Sequence, residues 1–178
     1  DFALSLARQM AEALKAAHDK GLVHRDLKPN NVMVTAGGKI KLLDFGIARS
    51  VDEPEKKLPT VAGSDLPTAT VSLRDLSVTT PGDIMGTAGY MSPEQARGEA
   101  VDQRSDVFSY GCVFYQMLTG AQPFTGKSIA ELIDATLNKA VDLSLLPPGT
   151  PAPIRDLLSR CLEKDVAARC RSATRLLD

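Results

Sequence analysis

His24-Arg25-Asp26-Leu27-Lys28-Pro29-Asn30-Asn31 is the stretch on which the reading of this chain turns. Counted from Asp26, an ammonium stands two residues on (Lys28) and a carboxamide five residues on (Asn31). A carboxylate, an ammonium and a carboxamide so spaced can serve a hydroxyl, a phosphate and a magnesium ion at one site. Thirteen residues after Asn31 comes Asp44-Phe45-Gly46, with a second carboxylate suited to a metal. Asp, Asn, Pro and Gly are also ordinary turn residues, so a motif as short as 44–46 has little weight alone. The order of the two motifs and the strand-like runs beside them favour chemistry. Val32-Met33-Val34-Thr35 and Lys39-Ile40-Lys41-Leu42-Leu43 flank Gly37-Gly38. This predicts a β-hairpin that fixes the two loops against each other.

Together the two motifs resemble the catalytic loop and the metal loop of protein kinases. The Lys two residues after the Asp is the form found in Ser/Thr-directed members. The resemblance implies that Asp26 orients an acceptor hydroxyl and takes its proton. Lys28 then offsets charge on the transferring phosphate, and Asn31 and Asp44 hold Mg²⁺ across the phosphates of ATP. Met33 resembles the residue beneath the adenine ring, although a core methionine is an equal reading. His24 and Phe45 read as packing residues rather than as acid–base groups. Arg25, just before the catalytic Asp, matches an Arg that meets a phosphate on the activation loop, a role its planar fork suits.

Gly86-Thr87-Ala88-Gly89-Tyr90-Met91-Ser92-Pro93-Glu94 resembles the end of a kinase activation segment, with Ser-Pro-Glu for the commoner Ala-Pro-Glu. Thr87 matches a Thr that hydrogen-bonds the catalytic Asp and Lys. The continuation through Gly98 is similar to bacterial receptor-type Ser/Thr kinases. Glu94 matches a Glu that pairs with a distant Arg, for which Arg169 is the candidate. Gly46 and Gly86 are separated by 39 residues, a long interval for this segment. The part from about 50 to 83 holds Pro54, Pro59, Pro67 and Pro81 and has no sustained helical period, so it reads as a flexible insert. Thr79 and Thr80 are its best candidate phosphosites, because the family's activating sites cluster shortly before the position of Thr87.

Helices account for most of the rest. Phe2, Leu6, Met10, Leu14 and Ala17 recur near a 3.6 period, which predicts a helix over 1–20 closed by Gly21. Ser105 to Thr119 is apolar nearly all round, the mark of a buried helix, with Gly120 at its end. Asp106 opens that helix and resembles the Asp that fixes the catalytic-loop backbone in kinases. It also reads as a cap or a partner of the helix dipole. Ser128 to Glu131 predicts a capping box. Ile154 to Glu163 predicts a further helix, with Leu157, Leu158, Cys161 and Leu162 as core. The residues after Ser172 read as the start of a last helix.

The expected class is therefore mainly α with a small β-hairpin, resembling the C-terminal lobe of the α+β kinase fold with the N-lobe absent. The expected organisation is one partial kinase domain over 1–178. Its parts are a catalytic loop at 24–31, an activation segment at 44–94 and a helical subdomain at 105–178. No Gly-rich loop, strand Lys or partner helix Glu is found within residues 1–178. Weak activity is therefore expected without the chain's own missing N-lobe. The implied partners are ATP and proteins with Ser or Thr acceptors, and a dimer for trans-autophosphorylation is compatible. The resemblance also implies a cytoplasmic domain, in a family whose bacterial members often carry a transmembrane segment after the kinase domain.

Composition narrows the alternatives. The net charge is −1, with 21 basic and 22 acidic residues, so no basic excess points to nucleic acid. Cys112, Cys161 and Cys170 lack metal-type spacing and read as reduced thiols. Two other readings compete: a pseudokinase or scaffold lobe that binds partner proteins, and a small-molecule phosphotransferase. Lys28, Thr87 and Ser92-Pro93-Glu94 speak against the latter, because they serve a polypeptide platform.

Overall fold

The computed structural model describes residues 2–44, 49–50 and 88–177. Phe45, Thr79, Thr80 and Thr87 lie outside the described residues. In chain order the elements are α1 (Phe2–His18), β1 (Leu22–Val23), β2 (Val32–Val34), β3 (Ile40–Leu42), β4 (Arg49–Ser50), α2 (Pro93–Ala96), α3 (Gln103–Thr119), α4 (Ile129–Asn138) and α5 (Ala152–Cys161). Short 3₁₀ turns lie at Pro29–Asn31, Leu143–Leu145 and Ala173–Leu176.

Helix α3 is the axis of the molecule. Every residue from Ser105 to Tyr115 is buried, as its all-round apolar sequence requires. Asp102 caps it, with the carboxylate accepting from the Arg104 amide at 2.8 Å. The cap is thus Asp102 rather than Asp106, which sits inside the first turn with its carboxylate turned to another task. At the other end Gly120 takes a left-handed backbone, φ 74°, the glycine stop that its position predicts.

Helix α1 packs on α3, on β3 and on the Ala173–Leu176 turn, while α5 covers another side of α3. Leu6, Met10, Leu14 and Ala17 form the buried stripe of α1. Met10 and Leu14 are fully buried, worth about 1.5–3 kcal/mol each against exposure. Phe2 departs from the expected stripe: it is 67% exposed. The residues after Ser172 make a 3₁₀ turn, and its Ala173 and Leu176 are buried.

The expected hairpin is present. β2 and β3 pair antiparallel, with Met33 opposite Lys41, and Gly38 turns the chain at φ 70°. A side-chain clamp from α1 holds its tip: Gln9 Nε2 donates to the Gly38 carbonyl at 3.1 Å, and Gln9 Oε1 accepts from the Ile40 amide at 3.1 Å. A second ladder, β1 with β4, was not legible in the sequence. It pairs Leu22 with Ser50, so the first residue of the expected insert lies in a strand.

At α4, Ser128 accepts from the Glu131 amide at 3.2 Å, but Glu131 reaches past it to the Lys127 amide at 2.8 Å. Only half of the expected box is made there. A full reciprocal capping box stands instead at Ser92 and Gln95, opening α2.

Candidate active site

The loop after β1 owes its shape to one buried carboxylate. Asp106 Oδ2 accepts from the His24 amide at 2.8 Å, and Oδ1 accepts from the Arg25 amide at 2.8 Å. His18, at the end of α1, adds its Nε2 to Asp106 Oδ2 at 2.7 Å. Between these contacts Arg25 adopts φ 67°, a left-handed conformation that costs a non-glycine residue roughly 1–2 kcal/mol. The Gln95 side chain holds the other face of the same residue, with Nε2 donating to the Arg25 carbonyl at 2.7 Å.

His24 is fully buried and both ring nitrogens are engaged. The Asp26 amide donates to Nδ1 at 3.3 Å, which leaves Nε2–H to donate to the Leu43 carbonyl at 2.9 Å. A histidine spent in this way joins two loops and has no nitrogen left for proton transfer.

The carboxylate of Asp26 is fixed by its own loop. Asn31 Nδ2 donates to Asp26 Oδ2 at 3.0 Å and to the Asp26 carbonyl at 2.7 Å. Lys28 Nζ lies 3.0 Å from the same Oδ2. The offsets 0, +2 and +5 therefore converge in space, because the Pro29–Asn31 turn folds the loop back on Asp26. Asn31 is buried, with its amide nitrogen committed to Asp26, so Oδ1 is the atom left for a cation.

Asp44 is brought to the same end of the hairpin by the Leu43 amide, which donates to the Asn31 carbonyl at 2.8 Å. Asp44 is exposed with φ 58°, in the left-handed region that Asp tolerates better than most residues. Asn31 and Asp44 thus offer hard oxygen donors on adjoining chain segments, the donor type Mg²⁺ takes. Among the described residues no group of three or more His, Cys, Asp or Glu side chains gathers into a metal cluster. Met33, expected beneath an adenine, is 46% exposed on β2 and is not part of the core.

Further from the loop, Arg169 and Glu94 form a buried pair, with Nη1–Oε1 at 2.7 Å and Nη2–Oε2 at 2.9 Å. Burial raises the carboxyl pKa of Glu94. Hydrogen bonds from Arg169 and Ser105 outweigh that and hold it below the ordinary range. Arg25 Nε is buried and has no hydrogen-bond partner among the described residues. A cavity of about 880 Å³ between α1, α3 and α5 contains no residue of this loop, so it is not the site of the chemistry.

Gln95 and His18 contribute to the site although sequence reasoning missed them. The Ser-x-x-Gln spacing was a usable signal for the capping box at 92–95, but nothing local showed its reach to Arg25. No sequence signal joins His18 to Asp106.

The sequence matches a known family. The protein kinase domain model matches residues 2–178, and the chain belongs to the protein kinase family. Its relatives include a probable serine/threonine-protein kinase of Clostridium perfringens, 34% identical over 99% of this chain and 23% of the relative. Another is the probable serine/threonine-protein kinase PknB of Bifidobacterium longum, 37% identical over 91% of this chain and 21% of the relative. The serine/threonine-protein kinase PknB of Mycobacterium tuberculosis is 35% identical over 98% of this chain and 25% of its own length. The chain spans about a quarter of the length of these curated relatives.

Proposed function

We propose that this chain is the C-terminal, catalytic lobe of a serine/threonine protein kinase that moves the γ-phosphate of ATP to Ser or Thr hydroxyls of proteins. The observation that carries the reading is the carboxylate of Asp26, held at 3.0 Å by both Lys28 and Asn31 on a loop anchored by Asp106. Phosphoryl transfer depends chiefly on positioning and charge neutralisation, and this arrangement supplies both.

In the proposed reaction Asp26 accepts the proton of the acceptor hydroxyl as its oxygen bonds to phosphorus and the bond to ADP breaks. Lys28 turns from Asp26 to the transferring phosphate. Asn31 Oδ1 and Asp44 would hold magnesium, which would supply charge neutralisation at the phosphates. By its match to the family, Thr87 is assigned the role of tying Asp26 and Lys28 to the acceptor platform. The Nε of Arg25, without a hydrogen-bond partner among the described residues, supports its role as receiver of an activation-loop phosphate, for which Thr79 and Thr80 are the proposed sites. The nucleotide-covering Gly-rich loop and its Lys are not among these residues. The activity is therefore proposed for the native gene product, on the cytoplasmic side where ATP is found.

The test is autophosphorylation of the native gene product with Mg-ATP beside its Asp26→Asn variant, with sites read by mass spectrometry. Phosphate on residues 50–83 that vanishes in the variant is the expected result. No phosphate in either, from folded protein, would turn the reading to a scaffold lobe.

A further inference from the structure

We infer that Gln95 is a positioning residue of the proposed reaction, and that its amide donor, rather than its capping role, sets the catalytic loop. The inference rests on the kinase reading given above but concerns a residue that the reading leaves unused.

The carboxamide of Gln95 works in two directions. Oε1 accepts from the Ser92 amide at 3.0 Å and from Ser92 Oγ at 3.1 Å. The first of these contacts, with the Gln95 amide donating to Ser92 Oγ at 3.4 Å, makes the capping box of α2. Nε2 leaves the helix and donates to the Arg25 carbonyl at 2.7 Å, across 70 residues of sequence.

Arg25 is where such a contact matters most. Its left-handed backbone, φ 67°, is sterically costly and persists only if its surroundings enforce it. Asp106 enforces it from the amide side at 2.8 Å, and Gln95 enforces it from the carbonyl side. The carbonyl of Arg25 belongs to the peptide that carries the Asp26 amide. A rotation of that peptide would move the Asp26 amide off His24 Nδ1 and re-aim the carboxylate. Gln95 sits next to Glu94, which is buried and tied to Arg169. The segment after Ser92 thereby gains a direct mechanical link to the residue preceding the proposed base. Displacements on the scale of an ångström can cost about a hundredfold in rate, so the link need not touch substrate to matter.

A capping box works equally well with Glu or Gln at this position, because only an acceptor oxygen is required. The bond to the Arg25 carbonyl requires a donor. An ionised Glu keeps the box and sets a negative oxygen against that carbonyl. A protonated Glu restores the donor.

The decisive variant is therefore Gln95→Glu, made in the native gene product beside Gln95→Ala. Three readings separate the outcomes. The thermal midpoint of Gln95→Glu should stay close to wild type. Its kcat should fall about tenfold or more at pH 7.5 with KM for ATP unchanged, and the ratio to wild-type kcat should recover as pH drops and the carboxyl protonates. Amide hydrogen exchange over residues 24–27 should quicken in Gln95→Glu while residues 107–115 of α3 stay protected. Exchange reads the link whether or not the protein transfers phosphate, so a failed kinase reading leaves it decidable. Unchanged exchange at 24–27, or a kcat deficit with no pH recovery in an active enzyme, would overturn the inference.

Discussion

Arg169 grips Glu94 through two parallel contacts of 2.7 and 2.9 Å, both partners buried and 75 residues apart in sequence. The guanidinium also donates to the carbonyls of Glu163 and Arg104, at 2.9 and 3.0 Å, and lies 5.0 Å from the Phe108 ring centroid. One side chain thus joins α2, α3 and the loop after α5. Arg169→Ala strands the Glu94 carboxylate in the interior, and removing one partner of such a pair costs about 3–5 kcal/mol. Thermal denaturation should show a large drop, and a midpoint within error of wild type would refute the role. The joint replacement Glu94→Gln with Arg169→Met should recover part of the loss, since no charge is then left unpaired.

Asp106 should be the more sensitive of two nearby aspartates. Its two oxygens accept from His24, Arg25 and His18. In Asp106→Asn one oxygen becomes an amide donor facing donors, and a lost hydrogen bond to a buried charged group costs about 1.5–3 kcal/mol. Asp102→Asn keeps a good capping residue and gives up a partly exposed pair with Arg104, worth about 0–1 kcal/mol. Differential scanning calorimetry should place Asp106→Asn well below Asp102→Asn. Equal shifts would mean that the loop is not anchored as described.

What could be read before the structure follows from how far each contact reaches along the chain. Asp26, Lys28 and Asn31 meet because one short loop carries them, and the hairpin of Val32–Val34 with Ile40–Leu42 is a local event around Gly38. The central helix was legible because burial on all sides leaves an unmistakable apolar run. Glu94 and Arg169 were matched only through family resemblance. The β1–β4 ladder, with two residues a side, is too short to leave a period. The bonds of His18 to Asp106 and of Gln95 to Arg25, 88 and 70 residues apart, are set by tertiary packing and leave no local trace. The cap of α3 was misplaced for a simpler reason: two aspartates stand four residues apart, and only the geometry shows which amide each one meets.

Gly111 offers a packing test. A Cβ built there would lie 2.8 Å from Cys161 Cβ and 3.0 Å from Leu162 Cδ2, so α3 and α5 approach through the missing side chain. Gly111→Ala gains about 0.5–1 kcal/mol of helix propensity. Forcing extra volume into a close-packed contact costs typically 1–3 kcal/mol, so the expected net is destabilisation. Urea denaturation should show a lowered midpoint at an unchanged slope. A stabilised variant would show that the two helices separate easily.

Lys164 should make stability depend on pH in the alkaline range. Its Nζ lies 3.4 Å from the Phe124 ring centroid and 5.3 Å from that of Phe108, buried and with no hydrogen-bond partner among the described residues. Burial, together with the neighbouring Arg169, lowers its pKa to about 8, against the favourable influence of Glu163. The rings attract the cation, but the downward shift means that desolvation wins. The folded chain therefore releases this proton before the unfolded chain, whose lysines titrate near 10.4. The penalty is full below about pH 8 and fades as pH rises from there towards the unfolded value. Lys164→Met keeps an unbranched apolar stem and removes the charge. The midpoint of the Met variant should match or exceed wild type at pH 7, and that difference should shrink steadily to pH 10. Other titrations in this interval are common to both proteins and cancel in the comparison. A difference that stays constant from pH 7 to 10 would show that Lys164 carries no folding-linked proton.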